Sequence, residues 1–147
     1  MADDHPQLKN TAEQHTPALN FQATSLMASL TVREIEKSVA WYRDVLGFLV
    51  QQRMERDGVL QSVRLVAGTV RILLNQDDGA RGRDRRTAEG FSLTFTTSQS
   101  VDEVARRVRE HGGTLDTEPA NMPWGARMFR LHDPDGFKLS ISAPVAG

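Results

Sequence analysis

Hydrophobic residues alternate with polar ones near the end of the chain, and this alternation predicts a pair of strands. Phe129 and Leu131 precede an Asp-Pro-Asp-Gly sequence at residues 133–136, and Leu139 and Ile141 follow it. A period of two indicates strands that each bury one face. The four-residue sequence favours a type I turn, because it places an acceptor side chain first, proline second and glycine fourth. The segment therefore predicts a closing hairpin.

Two other segments have the period of a helix. The first is predicted at about residues 34–46 and is followed by Gly47, a residue typical of helix C-termini. Its apolar residues lie on one helix face: Ile35, Val39, Tyr42 and Leu46. The second begins with a Ser-Val-Asp-Glu capping box at 100–103 and ends at the glycines 112–113. Its apolar face consists of Val101, Val104, Ala105 and Val108.

The same order of elements occurs twice. Strands are predicted at 25–32, 48–54, 59–67 and 69–75 in the first copy, and at 90–97, 114–118 and in the closing hairpin in the second. Residues 119–125 are predicted as a loop. Moving the first helix forward by 66 residues aligns Ile35 with Val101 and Gly47 with Gly113. This internal repeat predicts an α+β fold of two βαβββ modules in tandem.

The polar and charged segments mark the domain boundaries. Residues 1–22 are predicted to be a polar tail or arm, which contains His5 and His15. Residues 23–147 are predicted to form one domain, with modules at 23–75 and 90–144. Residues 76–89 connect the modules and carry a cluster of arginines. This loop is either a solvated crossover or a gate at a cavity mouth, since arginines can grip an anionic group.

Composition excludes several classes of function. The 147-residue chain is long enough for one domain with a core, and it contains no cysteine, which excludes disulfides and thiolate chemistry. Charged residues make up 25% of the chain, and the net charge is -1. That balance gives no reason to expect nucleic acid or a membrane as a partner. We expect a cytoplasmic protein.

Two motifs resemble a known superfamily. Residues 32–48, which contain the first predicted helix, resemble the first helix of the vicinal oxygen chelate superfamily. Its members include glyoxalase I, the bleomycin resistance proteins and the extradiol dioxygenases. The Pro-Trp-Gly sequence at 123–125, followed by the 133–136 turn, resembles the last hairpin of these proteins. The resemblance covers residues 24–144 and implies curved sheets around a cavity, in a homodimer.

The resemblance also implies where a metal site would lie. Metal-binding members hold a divalent ion with imidazole and carboxylate groups on the first and last strands of each module. These positions fall here on Met27, Leu73 (Arg71 if the register shifts by two), Ser92 and Ser140. Thioether, aliphatic and hydroxyl side chains do not make such a site. We therefore expect no metal and no other cofactor.

The remaining candidates are lining residues of an apolar cavity. The aromatic ones are Trp41, Phe95, Trp124 and Phe129, and Arg71, Ser92 and Ser140 would supply polar groups. The sequence thus predicts a metal-independent protein that binds a small molecule, of the bleomycin resistance type, with an aromatic or drug-like ligand. The alternative is a lyase, isomerase or dioxygenase of the same superfamily that uses an atypical site, for example His132 at the cavity rim.

Overall fold

Two four-stranded sheets, each with its own helix, make up this computed structural model, which describes residues 20–80, 82, 88 and 90–145. The first module contains β1 (Met27–Val32), α1 (Ile35–Trp41), a π-helical turn (Tyr42–Leu46), β2 (Leu49–Arg56), β3 (Val59–Ala67) and β4 (Val70–Gln76). The second contains β5 (Ser92–Thr96), α2 (Val101–Glu110), β6 (Thr117–Asn121), β7 (Ala126–His132) and β8 (Lys138–Pro144).

Both sheets have the same strand topology. Their orders are β1-β4-β3-β2 and β5-β8-β7-β6, and β1 and β5 run parallel to β4 and β8 while the other pairs are antiparallel. Neither sheet closes on itself. The predicted α+β fold of two tandem βαβββ modules is therefore confirmed. Within the described residues, no helix is long and apolar enough to cross a membrane.

One face of each sheet belongs to a single shared core. Helix α1 packs on β3 and β4, α2 packs on β6, β7 and β8, and α2 also meets the π-helical turn. The core joins the buried faces of both helices to one face of each sheet, through Leu30, Val63, Leu74, Phe129, Leu131 and Leu139. No described helix packs on the opposite face of either sheet. We call these opposite faces the first and second open faces.

The two helices differ by one residue, which the predicted alignment missed. Gly47 follows the π-helical turn with φ 84°, and the glycine in the equivalent left-handed conformation is Gly112, with φ 89°. A π-helical turn holds one extra residue, so Gly47 corresponds to Gly112 and not to Gly113. Gly113 is needed for space instead, because a Cβ there would lie 2.6 Å from methyl groups of Val108 and Val45.

Strand β6 lies farther along the chain than predicted. The sequence placed a strand at 114–118 and a loop at 119–125, whereas the structure has β6 at Thr117–Asn121 and a turn at 122–125. Pairing with β7 decides this register: Thr117 lies opposite Arg130, and Asn121 lies opposite Arg127. Pro119 falls at a register irregularity on this edge strand, where its missing N–H interrupts no regular ladder.

The predicted turn at 133–136 lies between β7 and β8 of the second module and contacts the first module. Gly136 N donates to Asp133 O at 2.9 Å, which closes the turn. Asp133 is buried, and its carboxylate accepts hydrogen bonds from Asp135 N, Phe137 N and, at 2.7 Å, from Tyr42 Oη of the first module. Burial raises the pKa of Asp133, although the three donors oppose this, and burial also raises the pKa of Tyr42.

Two predicted segments fall largely outside the described residues. The structure describes no residue before residue 20, so the predicted tail with His5 and His15 lies outside it. In the 76–89 loop, residues 81, 83–87 and 89 are not described, and these include all of its arginines.

Candidate functional site

The first open face combines apolar side chains with a polar network. Strand pairing arranges its residues in three rows across the sheet: Met27, Arg71, Val66 and Leu49; Ser29, Leu73, Arg64 and Gln52; Thr31, Asn75, Ser62 and Met54. Ser62 Oγ donates to Asn75 Oδ1 at 2.8 Å, and Asn75 Nδ2 donates to Ser29 Oγ at 2.7 Å. These bonds fix the orientation of the three polar groups on the face.

The second open face is rich in hydroxyl groups. Its rows are Ser92, Lys138 and His132; Thr94, Ser140, Arg130 and Thr117; Thr96, Ser142, Met128 and Ala120. Ser140 and Met128 are buried beneath their neighbours, while Ser92, Arg130 and Lys138 are exposed. This face offers several hydrogen-bond donors and acceptors, and its only described aliphatic side chains are those of Met128 and Ala120.

The four positions implied as metal ligands all lie on the open faces. Met27 is next to Arg71 in the first row, and Leu73 lies in the neighbouring row of the same sheet. Ser92 and Ser140 occupy the corresponding places in the second sheet. The side chains offer one thioether, one aliphatic chain and two hydroxyls, a donor set that does not fit a divalent transition metal. The described residues also contain no group of three or more His, Asp or Glu that could hold a metal ion.

The predicted aromatic lining residues do not join these four. Phe129 is fully buried in the core, and Trp41 packs edge-on against Tyr42 at 4.9 Å between ring centroids. Phe95 is on the core side of β5, where its ring meets that of Phe48. Trp124 is in the turn between β6 and β7 with 46% of its surface exposed. Side-chain alternation along β5 separates Phe95 from Ser92, and the pairing of Phe129 with Ile141 on β8 separates Phe129 from Ser140.

Two grooves lie where the modules meet. One, of about 500 Å³, runs between the β3–β4 turn and the start of α2, and Phe95, Phe48 and Val104 line its apolar side. The other, of about 470 Å³, lies at the start of α1 beside the 133–136 turn and is mostly charged. Asp135 in this second groove accepts a hydrogen bond from Arg33 N at 2.8 Å. Its carboxylate is thus already engaged in holding the modules together.

The two described histidines have different surroundings. His111 follows α2, and its Nδ1 lies 2.9 Å from Arg107 O, as expected for a histidine at a helix C-terminus. His132 is on the second open face, and its Nδ1 lies 2.9 Å from Asp116 Oδ1. A carboxylate at Nδ1 orients the ring and directs Nε2 away from Asp116. Of the two, only His132 is on an open face.

Sequence reasoning missed three basic residues on the open faces. Arg71 was singled out, but Arg64, Arg130 and Lys138 were not, although they lie on the same faces. The signal was available, because each basic residue alternates with apolar residues along its strand. What the sequence did not provide was the pairing register that brings these residues together.

Comparison with the profiles of known protein families matches this chain to one superfamily. The profile of the Glyoxalase/Bleomycin resistance protein/Dioxygenase superfamily matches residues 24–141. No curated protein matches the chain in sequence.

Several solved structures share the fold. UcmS2 is 18% identical with a TM-score of 0.69, over 83% of this chain and 98% of its own. TioX from Micromonospora sp. ML1 is 18% identical with a TM-score of 0.65, over 84% of this chain and 98% of its own. The virulence protein STM3117 from Salmonella typhimurium is 24% identical with a TM-score of 0.65, over 86% of this chain and 100% of its own. At these identities the likeness establishes the fold alone.

Proposed function

The chain belongs to the Glyoxalase/Bleomycin resistance protein/Dioxygenase superfamily, and from this we propose that it is a metal-independent protein that binds a small molecule on its open faces. One observation carries the proposal. The four positions that the superfamily resemblance implies for metal ligands hold Met27, Leu73, Ser92 and Ser140, which all lie on the open faces, and their side chains do not fit a divalent transition metal.

The chemistry of the open faces supports a ligand with an apolar body. Met27 and Met54 are 43% and 55% exposed, and Leu49 on the same face is 68% exposed. Ser29 and Asn75 supply oriented polar groups among them. Ligand sites are mostly apolar with a few placed polar groups, and such a surface suits an aromatic or drug-like molecule.

A homodimer is part of this proposal. An exposed face with this much apolar surface is costly to leave in water, and a second copy of the chain would cover it and enclose the ligand. The superfamily resemblance implies the same arrangement.

The second candidate is an enzyme of the same superfamily that acts without a metal. His132 favours it, because Asp116 holds its ring at 2.9 Å on the second open face. Histidine is the side chain that acts most often as a general base, and a carboxylate that orients its imidazole ring suits it to this role. This candidate predicts that a ligand will be turned over, and that His132→Gln abolishes turnover while leaving ligand binding intact.

The first prediction concerns metal content. Protein purified without added metal should contain only substoichiometric transition metal, and a chelator should leave its melting temperature and ligand binding unchanged. Elemental analysis and thermal unfolding, with and without the chelator, measure this. Roughly one tightly held metal per chain after dialysis, with a loss of melting temperature in the chelator, would contradict the proposal.

The second prediction concerns the dimer. Light scattering should give twice the chain mass of 16.4 kDa at micromolar concentration. Met54→Asp places a charge on the first open face and should shift the protein to monomer. The control is Leu26→Asp, because Leu26 is also exposed, at 83%, but precedes β1 with the strand parity of Ala28 and Leu30, which face the core. A monomeric wild-type protein, or equal effects of both substitutions, would contradict a dimer built on this face.

A further inference from the structure

The two open faces carry basic side chains that are not neutralised by neighbouring acids. They are Arg64 and Arg71 on the first face, and Arg130 and Lys138 on the second. Among the described residues, none of the four takes part in an ion pair. Elsewhere on the surface several arginines are paired with carboxylates, for example Arg106 with Glu103 and Glu110.

The basic residues of β4 and β8 occupy equivalent positions. Arg71 lies opposite Met27 on the parallel neighbour β1. Lys138 lies opposite Ser92 on the parallel neighbour β5. Since Met27 and Ser92 are themselves equivalent positions at the starts of β1 and β5, the internal repeat places a cation at the same point in each sheet.

The second basic residue of each sheet repeats in the same way. Arg64 on β3 lies opposite Leu73 of β4, and Arg130 on β7 lies opposite Ser140 of β8. Each therefore lies on the strand next to Arg71 or Lys138 and one row away. Diagonal neighbours on adjacent strands are about 7–8 Å apart, within reach of long side chains. Both modules thus carry one pair of cations with the same geometry.

No carboxylate occupies the rows of either open face. The acidic side chain that contacts these rows is Asp116, which lies against His132 rather than against Arg130 or Lys138. Arg64 Nε is buried and finds no hydrogen-bond partner among the described residues. A buried donor is costly unless it is hydrogen-bonded, so this N–H, which no described protein group satisfies, is available to an acceptor from outside the protein.

We propose that the open faces recognise an anionic small molecule: an apolar or aromatic body with a carboxylate, sulfonate or phosphate group. This rests on the proposed function and names its ligand class. Arg64 and Arg71 provide planar guanidinium groups that bind such oxyanions through two parallel hydrogen bonds. Met27 and Leu73, which are adjacent to them, contact the apolar body. A cationic ligand is disfavoured, because it would approach four like charges.

Two dyes with one aromatic framework test the proposal. Anilinonaphthalene sulfonate carries a sulfonate, and phenylnaphthylamine is the same framework without it. Both become fluorescent in apolar sites, so both can be titrated with the wild-type protein. We expect the sulfonate to bind about tenfold more tightly than the neutral dye, as charge-assisted hydrogen bonds contribute about that factor. The preference should shrink as salt is raised.

Substitutions assign the preference to particular residues. Arg71→Gln and Arg64→Gln should each weaken sulfonate binding about tenfold and leave binding of the neutral dye unchanged. Arg53→Gln is the matched control, because Arg53 is in the same sheet but is paired with Glu36 of α1 at 3.2 Å on the other face. Arg53→Gln should change the binding of neither dye. Circular dichroism and thermal unfolding establish that each variant is folded.

The outcomes separate this inference from the function on which it rests. If the neutral dye binds as tightly as the sulfonate, and the arginine substitutions have no effect, the open faces bind small molecules but do not select anions. If neither dye binds to the folded protein, the proposed function fails and the anion preference fails with it. A sulfonate preference that Arg53→Gln removes as fully as Arg71→Gln would also overturn the assignment, because it would place the anion elsewhere.

Discussion

Replacing Asp133 with alanine should lower the free energy of unfolding by about 3–5 kcal/mol, because one buried carboxylate holds three donors. Its Oδ1 accepts from Asp135 N and Phe137 N, both at 2.9 Å, and its Oδ2 accepts from Tyr42 Oη. Alanine would leave the buried Tyr42 hydroxyl and the turn amides without partners. It would also disconnect the turn of the second module from the first helix. Chemical denaturation measures the loss.

Asp133→Asn is the matched control. Asparagine keeps one acceptor oxygen for the turn amides, and its amide can donate to Tyr42 Oη, so the loss should be much smaller than with alanine. Tyr42→Phe removes only the hydroxyl and should cost about 1.5–3 kcal/mol, the range for a hydrogen bond to a charged group. A loss below about 1 kcal/mol for Asp133→Ala would show that this contact does not hold the modules together.

The wild-type protein and Asp133→Asn should differ in how their stability depends on pH. Burial raises the pKa of Asp133 in the folded state above its ordinary value of 3.8. The folded state therefore binds more protons than the unfolded state in the window that begins at about pH 3.8, and stability falls as pH rises through this window. Relative to Asp133→Asn, the wild-type protein should lose stability from about pH 4 upward and then level off. If the wild-type protein instead gained stability over this range relative to Asp133→Asn, the raised pKa of Asp133 would be contradicted.

Phe129→Ala should destabilise the protein by about 3–5 kcal/mol, whereas Trp124→Ala should cost about 1 kcal/mol or less. Phe129 is fully buried in the core, so its removal leaves a cavity. Trp124 is 46% exposed in the turn between β6 and β7, and we expect it to act at the cavity rim or dimer contact instead. Denaturation of both variants measures the two losses.

Ligand titration completes the comparison of the two aromatic residues. With the sulfonate dye as probe, Trp124→Ala should weaken binding or dimerisation, while the free energy of unfolding falls by only about 1 kcal/mol or less. A loss of several kcal/mol for Trp124→Ala with unchanged binding would make the tryptophan a core residue. A small loss for Phe129→Ala would mean that its ring is not part of the core.

The sequence alone determined the elements and their repetition. The 3.6-residue period placed Ile35, Val39 and Tyr42 on the buried side of a helix, and all three are buried. Ser100 caps α2 as the Ser-x-x-Glu pattern predicts, with its Oγ accepting from Glu103 N. These features were predictable because helix faces, caps and tight turns depend on residues within a few positions of one another.

Tertiary pairing decided everything that depends on distant residues. The sequence did not predict the π-helical turn, which contacts α2, or the shift of β6, which follows its pairing with β7. The basic pairs remained hidden for the same reason. Arg64 and Arg71 are seven positions apart in sequence, and only the β3–β4 register places them as diagonal neighbours on one face. Side-chain alternation tells which residues share a face of one strand, but the register between strands decides which residues form a site.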